Sequence, residues 1–159
     1  CVMRMRRAGD TDLRNVVFGR GRPCPLLKNE DGHVRLGRVW LAAGVRLWAH
    51  KGGSIEVGDN SVLDENVEII GWKDVCIGEN CYLGWDVLVM DTDLHAVGGN
   101  PIDNRAVRIG SGVTIGCRSI LLKGVTVGDG AVIEPGSLVT RDVAPHAHVG
   151  PPDVRILSR

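Results

Sequence analysis

Aromatic residues are scarce: four Trp, one Tyr and one Phe among 159 residues. A core of stacked rings is excluded, so aliphatic side chains must fill the interior. Charge of one sign is not in excess either, since 19 basic residues face 19 acidic ones. That balance argues against a nucleic-acid binder, which carries a concentrated basic surface. No apolar run approaches the roughly 18 residues of a membrane span; Val87–Met90 and Ile120–Leu122 are typical. The opening CVMRMRRAGDTDLR is basic but has no apolar stretch behind it, unlike a secretory signal. No C-x-x-C pair occurs, and the five cysteines at 1, 24, 76, 81 and 117 are odd in number. They read as small buried hydrophobes in a reducing compartment, which sets the expectation of a soluble cytoplasmic domain.

What the chain has in quantity is glycine, 22 residues, and the aliphatic trio of 22 Val, 14 Leu and 10 Ile. These fall into hexapeptides. From residue 57 run VGDNSV and LDENVE, then after a two-residue slip IGENCY and LGWDVL. The pattern resumes at 109 with IGSGVT, IGCRSI, LLKGVT, VGDGAV, IEPGSL and VTRDVA. The first positions are 57, 63, 69, 77, 83, 89, 109, 115, 121, 127, 133 and 139, and all are Ile, Leu or Val. The second position is Gly at 58, 78, 84, 110, 116 and 128, read as a residue that permits turn conformations a Cβ would forbid. The fifth is small or Val except at Lys73 and Asp93, where the register slips and a long insertion begins.

A period of six cannot be an amphipathic helix, whose apolar face recurs every three to four residues. It fits short strands with a bend after each, wound into stacked coils that pair in parallel around aliphatic ladders. This pattern resembles the hexapeptide-repeat acyltransferases over roughly residues 34–157, and is similar to the galactoside and maltose O-acetyltransferases among them. The resemblance implies an all-β fold, a left-handed parallel β-helix of triangular section. With three hexads to such a coil, the twelve give four and residues 34–56 add about one irregular coil, so about five coils with one protruding loop are expected. The expected organisation is a basic, non-repeating extension at 1–33 that covers an open coil end. The β-helix domain follows at 34–145 with its loop at 91–106, and a tail occupies 146–159.

Loops thrown out of a regular scaffold usually carry function. This one begins Asp91-Thr-Asp-Leu-His. An imidazole titrates near neutrality and can accept a proton from a hydroxyl, which makes His95 the candidate general base. Asp91 or Asp93 can orient the ring, bind acceptor hydroxyls or cap the loop turn; the sequence does not choose. At the corner Gly84-Trp85-Asp86 a tryptophan offers an apolar platform for a sugar ring and Asp86 a hydroxyl acceptor. Packing of Trp85 against a neighbouring loop or subunit is the plainer reading.

From the family resemblance come the remaining assignments. DTDLH stands where the family has its catalytic histidine. Asn66 matches an acceptor-binding asparagine, although a turn asparagine explains it as well. Acyl-CoA would lie between subunits of a homotrimer, its thioester end passing Cys117, its arm Pro135, and its phosphates meeting Thr140, Arg141 and Arg155. The chain departs from the family at Cys117, where Ser or Ala is common, at Thr114, where Trp is frequent, and at the exit Gly150-Pro-Pro-Asp-Val-Arg155. No metal is implied: the zinc enzymes built on this coil need three histidines, and the repeats here offer His95.

The expected function is transfer of an acetyl or other short acyl group from acyl-CoA to a hydroxyl of a sugar or other small acceptor. N-acetylation of an amino sugar and a non-catalytic β-helix scaffold remain as alternatives. The expected partners are the acceptor, acyl-CoA and two further copies of the chain, with no nucleic acid and no membrane span.

Overall fold

Each hexad contributes a short strand and a bend, and the strands stack in parallel on three faces. The computed structural model describes residues 4–7 by their backbone, and 9–13, 15–19, 21 and 23–151 with their side chains. The first face holds Arg4–Arg7, Leu26–Asn29, Arg46–Ala49, Glu68–Gly71, Leu88–Met90, Ile120–Leu121 and Leu138–Val139. The second holds Asp10–Asp12, His33–Leu36, Ser54–Val57, Val75–Ile77, Val107–Ile109 and Thr126–Val127. The third holds Val17–Phe18, Trp40–Leu41, Val62–Leu63, Tyr82–Leu83, Thr114–Ile115, Val132–Ile133 and His148–Val149. The chain visits first, second and third face in turn, giving an all-β solenoid of about six turns, consistent with the left-handed β-helix.

All twelve first-position residues are buried, the most exposed being Val139 at 6%. They form three straight ladders through register: Val57, Ile77, Ile109 and Val127 on the second face; Leu63, Leu83, Ile115 and Ile133 on the third; Ile69, Val89, Leu121 and Val139 on the first. A six-residue repeat does this because three hexads, eighteen residues where no slip or insertion intervenes, return an aliphatic side chain to the same face one coil further along. Apart from Lys73 and Asp93 the fifth positions are buried too, and serines among them hydrogen-bond across the coils. Ser61 Oγ donates to Gly78 O at 3.0 Å, and Ser119 Oγ to Glu134 O at 3.0 Å.

Two expectations change. The second-position glycines do not supply left-handed backbone; none of the six has a positive φ. They let successive coils touch: a Cβ at Gly116 would lie 2.4 Å from Pro135 N, and one at Gly128 2.4 Å from Pro145 N. The left-handed conformation belongs to the fourth position instead, at Asn60, Asn66, Asn80, Asp86, Gly112, Arg118, Gly124, Gly130 and Gly136. The coil count also rises from about five to about six, because Arg4–Arg7, Asp10–Asp12 and Val17–Phe18 already lie on the three ladders. Their inward side chains include Leu13, Val16 and Phe18, only partly buried at the edge of the core, so no hexad betrays them. His148–Val149 likewise extends the third face beyond residue 145.

Cys76, Cys81 and Cys117 are free thiols, while Cys24 is disulfide-bonded and departs from the all-thiol reading. Disulfides persist mainly in oxidising compartments. Among the described residues no helix is long and apolar enough to cross a membrane.

Candidate active site

The functional candidates gather on two of the three edges. At the edge where the first face turns into the second, the chain leaves the coil after Leu88–Met90 and rejoins it at Val107–Ile109. Asp91 at the root of this excursion is fully buried. Its carboxylate accepts the backbone N–H groups of Trp72 at 2.8 Å, Lys73 at 2.8 Å and Asp74 at 2.6 Å. Those three residues lie in the stretch between first positions 69 and 77, one coil below, where the hexad register slips by two. The irregular corner turns three peptide N–H groups to one spot, and a buried carboxylate satisfies them. Asp91 is thus an anchor, with both oxygens engaged away from His95.

Above the anchor the loop closes on itself through bridges Thr92–Asn104 and Val97–Asn100. Asp93 pairs with Lys123, which also reaches Asp103 at 3.0 Å. The Asp93 hydrogen bond chiefly holds the Lys123 ammonium above its usual pKa, and the Lys123 hydrogen bond chiefly lowers that of Asp103. His95 is exposed two residues beyond Asp93. Leu94 beside it takes φ 62°, a left-handed conformation that a branched side chain rarely adopts and that functional loops tolerate. Trp72 Nε1 and Asn104 Oδ1 are buried without a hydrogen-bond partner among the described residues.

The edge where the third face turns into the first carries Asn66, Trp85, Asp86, Cys117 and Pro135 in one column, while Thr140 and Arg141 follow Leu138–Val139 on the same edge as the loop. Asn66, Asp86, Arg118 and Gly136 stand one above another at φ 60°, 58°, 59° and 73°. Backbone bonds tie Asp86 N to Glu65 O, Arg118 N to Trp85 O and Gly136 N to Cys117 O, each at 2.9 Å. The asparagine at 66 therefore meets a backbone demand, with its side chain exposed. Trp85 is 46% exposed, and the Arg118 guanidinium lies over its ring at 5.1 Å. Arg118 Nε also approaches Asp86 at 3.8 Å. Cys117 is half-buried and Pro135 exposed on the same edge. Thr140 and Arg141 line a cavity of about 330 Å3 together with Leu138, Asp142, Val149 and Gly150. Arg155 lies outside the described residues.

The structure thus brings Asn66, Trp85, Asp86, Cys117 and Pro135 onto one edge, and sets His95 and Asp93 on another. Between Asp86 and Asp91 the chain crosses the first face, a path of about 16 Å at ~3.3 Å per residue. Sequence reading missed Arg118 and Lys123. Arg118 carried one signal, a long basic residue at the fourth hexad position where Gly, Asn or Asp is usual. Lys123 carried none, because its partners lie 30 and 20 residues away along the chain.

Residues 106–141 match the family model described as bacterial transferase hexapeptide (six repeats). The chain is 29% identical over 145 residues to galactoside O-acetyltransferase of Escherichia coli K12, covering 81% of this chain and 67% of that one. A solved galactoside acetyltransferase in complex with coenzyme A superposes with TM-score 0.56 at 25% identity, over 79% of this chain and 60% of its own. AntD, an N-acyltransferase from Bacillus cereus, superposes with TM-score 0.73 at 15% identity, over 91% of this chain and 80% of its own, which speaks to the fold alone. The chain carries the bacterial transferase hexapeptide and resembles the hexapeptide-repeat acyltransferases, as its hexads implied. Its named relatives are acetyltransferases, the enzyme class expected from the sequence.

Proposed function

We propose that the chain is an acetyl-CoA-dependent O-acetyltransferase that moves an acetyl or short acyl group to a hydroxyl of a sugar or other small acceptor. The observation that carries this reading is the exposed imidazole of His95, presented on an anchored excursion from a solenoid of the acetyltransferase kind. The acceptor O–H gives its proton to His95 as the oxygen attacks the thioester carbonyl. The C–S bond of the tetrahedral intermediate then breaks, and the imidazolium returns the proton to the departing sulfur. Ester and free CoA thiol are the products, with no acyl-enzyme on the path. A corner peptide N–H aimed at the oxyanion contributes about 3–4 kcal/mol where oxyanion-hole geometry holds.

We assign the pantetheine arm to the edge at Cys117 and Pro135, with Thr140, Arg141 and Arg155 at the phosphate end. Exposed Leu138 lies between these two stretches. Guanidinium forks suit phosphate oxygens, which supports Arg141 in that role. Asn66, Trp85 and Asp86 are assigned to the acceptor, and the Lys123 pair leaves Asp93 a lesser share there.

The active assembly is a homotrimer in this reading. Within one chain the base and the acceptor residues occupy different edges, so a second copy is needed to set a loop against the Trp85 edge. The third face offers an apolar outward column for such contact. Val17, Trp40, Tyr82 and Val132 on it are 45%, 45%, 41% and 37% exposed, and they share one register line.

His95→Ala is expected to lower transfer by at least about 100-fold while acetyl-CoA binding by calorimetry is retained. Full activity in that variant overturns the mechanism. Mass spectrometry of products from acetyl-CoA and a panel of hydroxyl and amine acceptors separates ester from amide formation.

A further inference from the structure

Lys123 stands on the rigid scaffold, two residues past the strand Ile120–Leu121. Its ammonium touches both legs of the loop at once, Asp93 on the outgoing leg and Asp103 on the returning one. The Lys123 side chain is only 17% exposed and that of Asp93 26%. Arg105 completes the chain of charges, its Nε 3.0 Å from the same Asp103 oxygen that faces Lys123. Backbone bonds fix the returning leg at that level, Arg105 N to Asp91 O and Gly124 N to Arg105 O, both 2.9 Å. Among the described residues nothing comparable holds the tip, and residues 95–102 are exposed throughout.

We propose that Lys123 is a positioning residue, an electrostatic clasp that ties both legs of the loop to the coil and so sets where His95 stands. The clasp acts through the loop and touches no substrate. It rests on the reading of His95 as the base, and it also makes a claim about the loop that does not involve activity. Its members are near the surface, where ionic contacts weaken as the Debye length shrinks to ~3 Å at about 1 M salt. A loop held chiefly by apolar packing would not respond in this way.

The test uses the full chain with amide hydrogen exchange over residues 91–105, read at the hydrogen-bonded amides of Asp91, Leu94, Asn100 and Arg105, and steady-state kinetics with acetyl-CoA and the best acceptor from the panel. In Lys123→Met, exchange in that segment is expected to rise about tenfold while the strands keep their protection. Lys123→Arg restores protection, Asp103→Asn gives an intermediate rise, and about 1 M NaCl accelerates exchange in the parent but not in Lys123→Met. In the kinetics, kcat falls about fivefold to tenfold in Lys123→Met, with KM for acetyl-CoA within about twofold of the parent. Unchanged exchange in both Lys123→Met and Asp103→Asn overturns the clasp, as does a rise in KM for acetyl-CoA with kcat intact. If His95→Ala keeps full activity, the function reading falls, and the exchange result still decides the clasp by itself.

Discussion

Asp91 shows how much a single side chain carries in this fold. Its carboxylate is the hydrogen-bond acceptor for three peptide N–H groups of the corner at Trp72–Asp74. Asp91→Ala leaves those part-buried donors without their acceptor, at an expected cost of about 1–3 kcal/mol. Urea unfolding of parent and variant measures it, and a cost under about 1 kcal/mol would reassign Asp91. At this scale the sequence singles out the charged residues of the loop and leaves their partners open. Asp91, Asp93 and His95 stood out because charged residues interrupt an aliphatic period. Which carboxylate faced what was not legible, since both partners, the Trp72 corner and Lys123, come from other coils. Glycine at the second position was legible as necessary, but its reason is coil-to-coil contact rather than backbone dihedral.

Ladders are the unit of stability at the level of elements. Leu83 lies midway along the third-face ladder between Leu63 and Ile115, with no exposed surface. Leu83→Ala is expected to cost about 2–5 kcal/mol, read from the denaturation midpoint, because neighbouring coils cannot close over the void. A second inter-coil tie sits at the edge below the loop. Glu30 receives Lys28 Nζ at 2.8 Å, His50 Nδ1 at 3.1 Å and Trp48 Nε1 at 3.1 Å, while His50 stacks on Trp72 at 4.3 Å. These hydrogen bonds, that of Lys28 foremost, hold the Glu30 carboxyl down to about 2. A carboxyl lowered on folding stabilises the fold above its ordinary value near 4.5 and loses that contribution as pH falls toward 2. Glu30→Gln is therefore expected to lower the melting temperature slightly at neutral pH, where the contribution is whole, and to flatten its fall between those values. With side-chain exposures of 35–40% around it, the effect is small and salt-screened. None of this cluster was legible in the sequence, because residues 28–50 carry no hexad.

For the whole molecule, the three faces differ in what they show to water. The second face presents the line Asp12, Arg35, Glu56, Cys76, Arg108 and Thr126, a polar surface with a Glu56–Arg35 pair at 3.4 Å. The third presents the apolar column around Trp40 and Tyr82. A trimer closed through the apolar column predicts a sedimentation mass of three chains, and Trp40→Glu together with Val132→Glu is expected to shift it to the monomer. Monomeric parent protein would count against the shared site. The twelve aliphatic positions by themselves determined the stack of parallel coils and the point where the chain leaves it. They could do so because a period is a local property, repeated in every coil. Tertiary structure alone decided that the register slip at 72–74 would be sealed by Asp91, that Lys123 would meet two aspartates, and that His95 and the Trp85 corner would stand on separate edges. Those contacts join residues from different coils, and their height and facing depend on how each irregular stretch folds back.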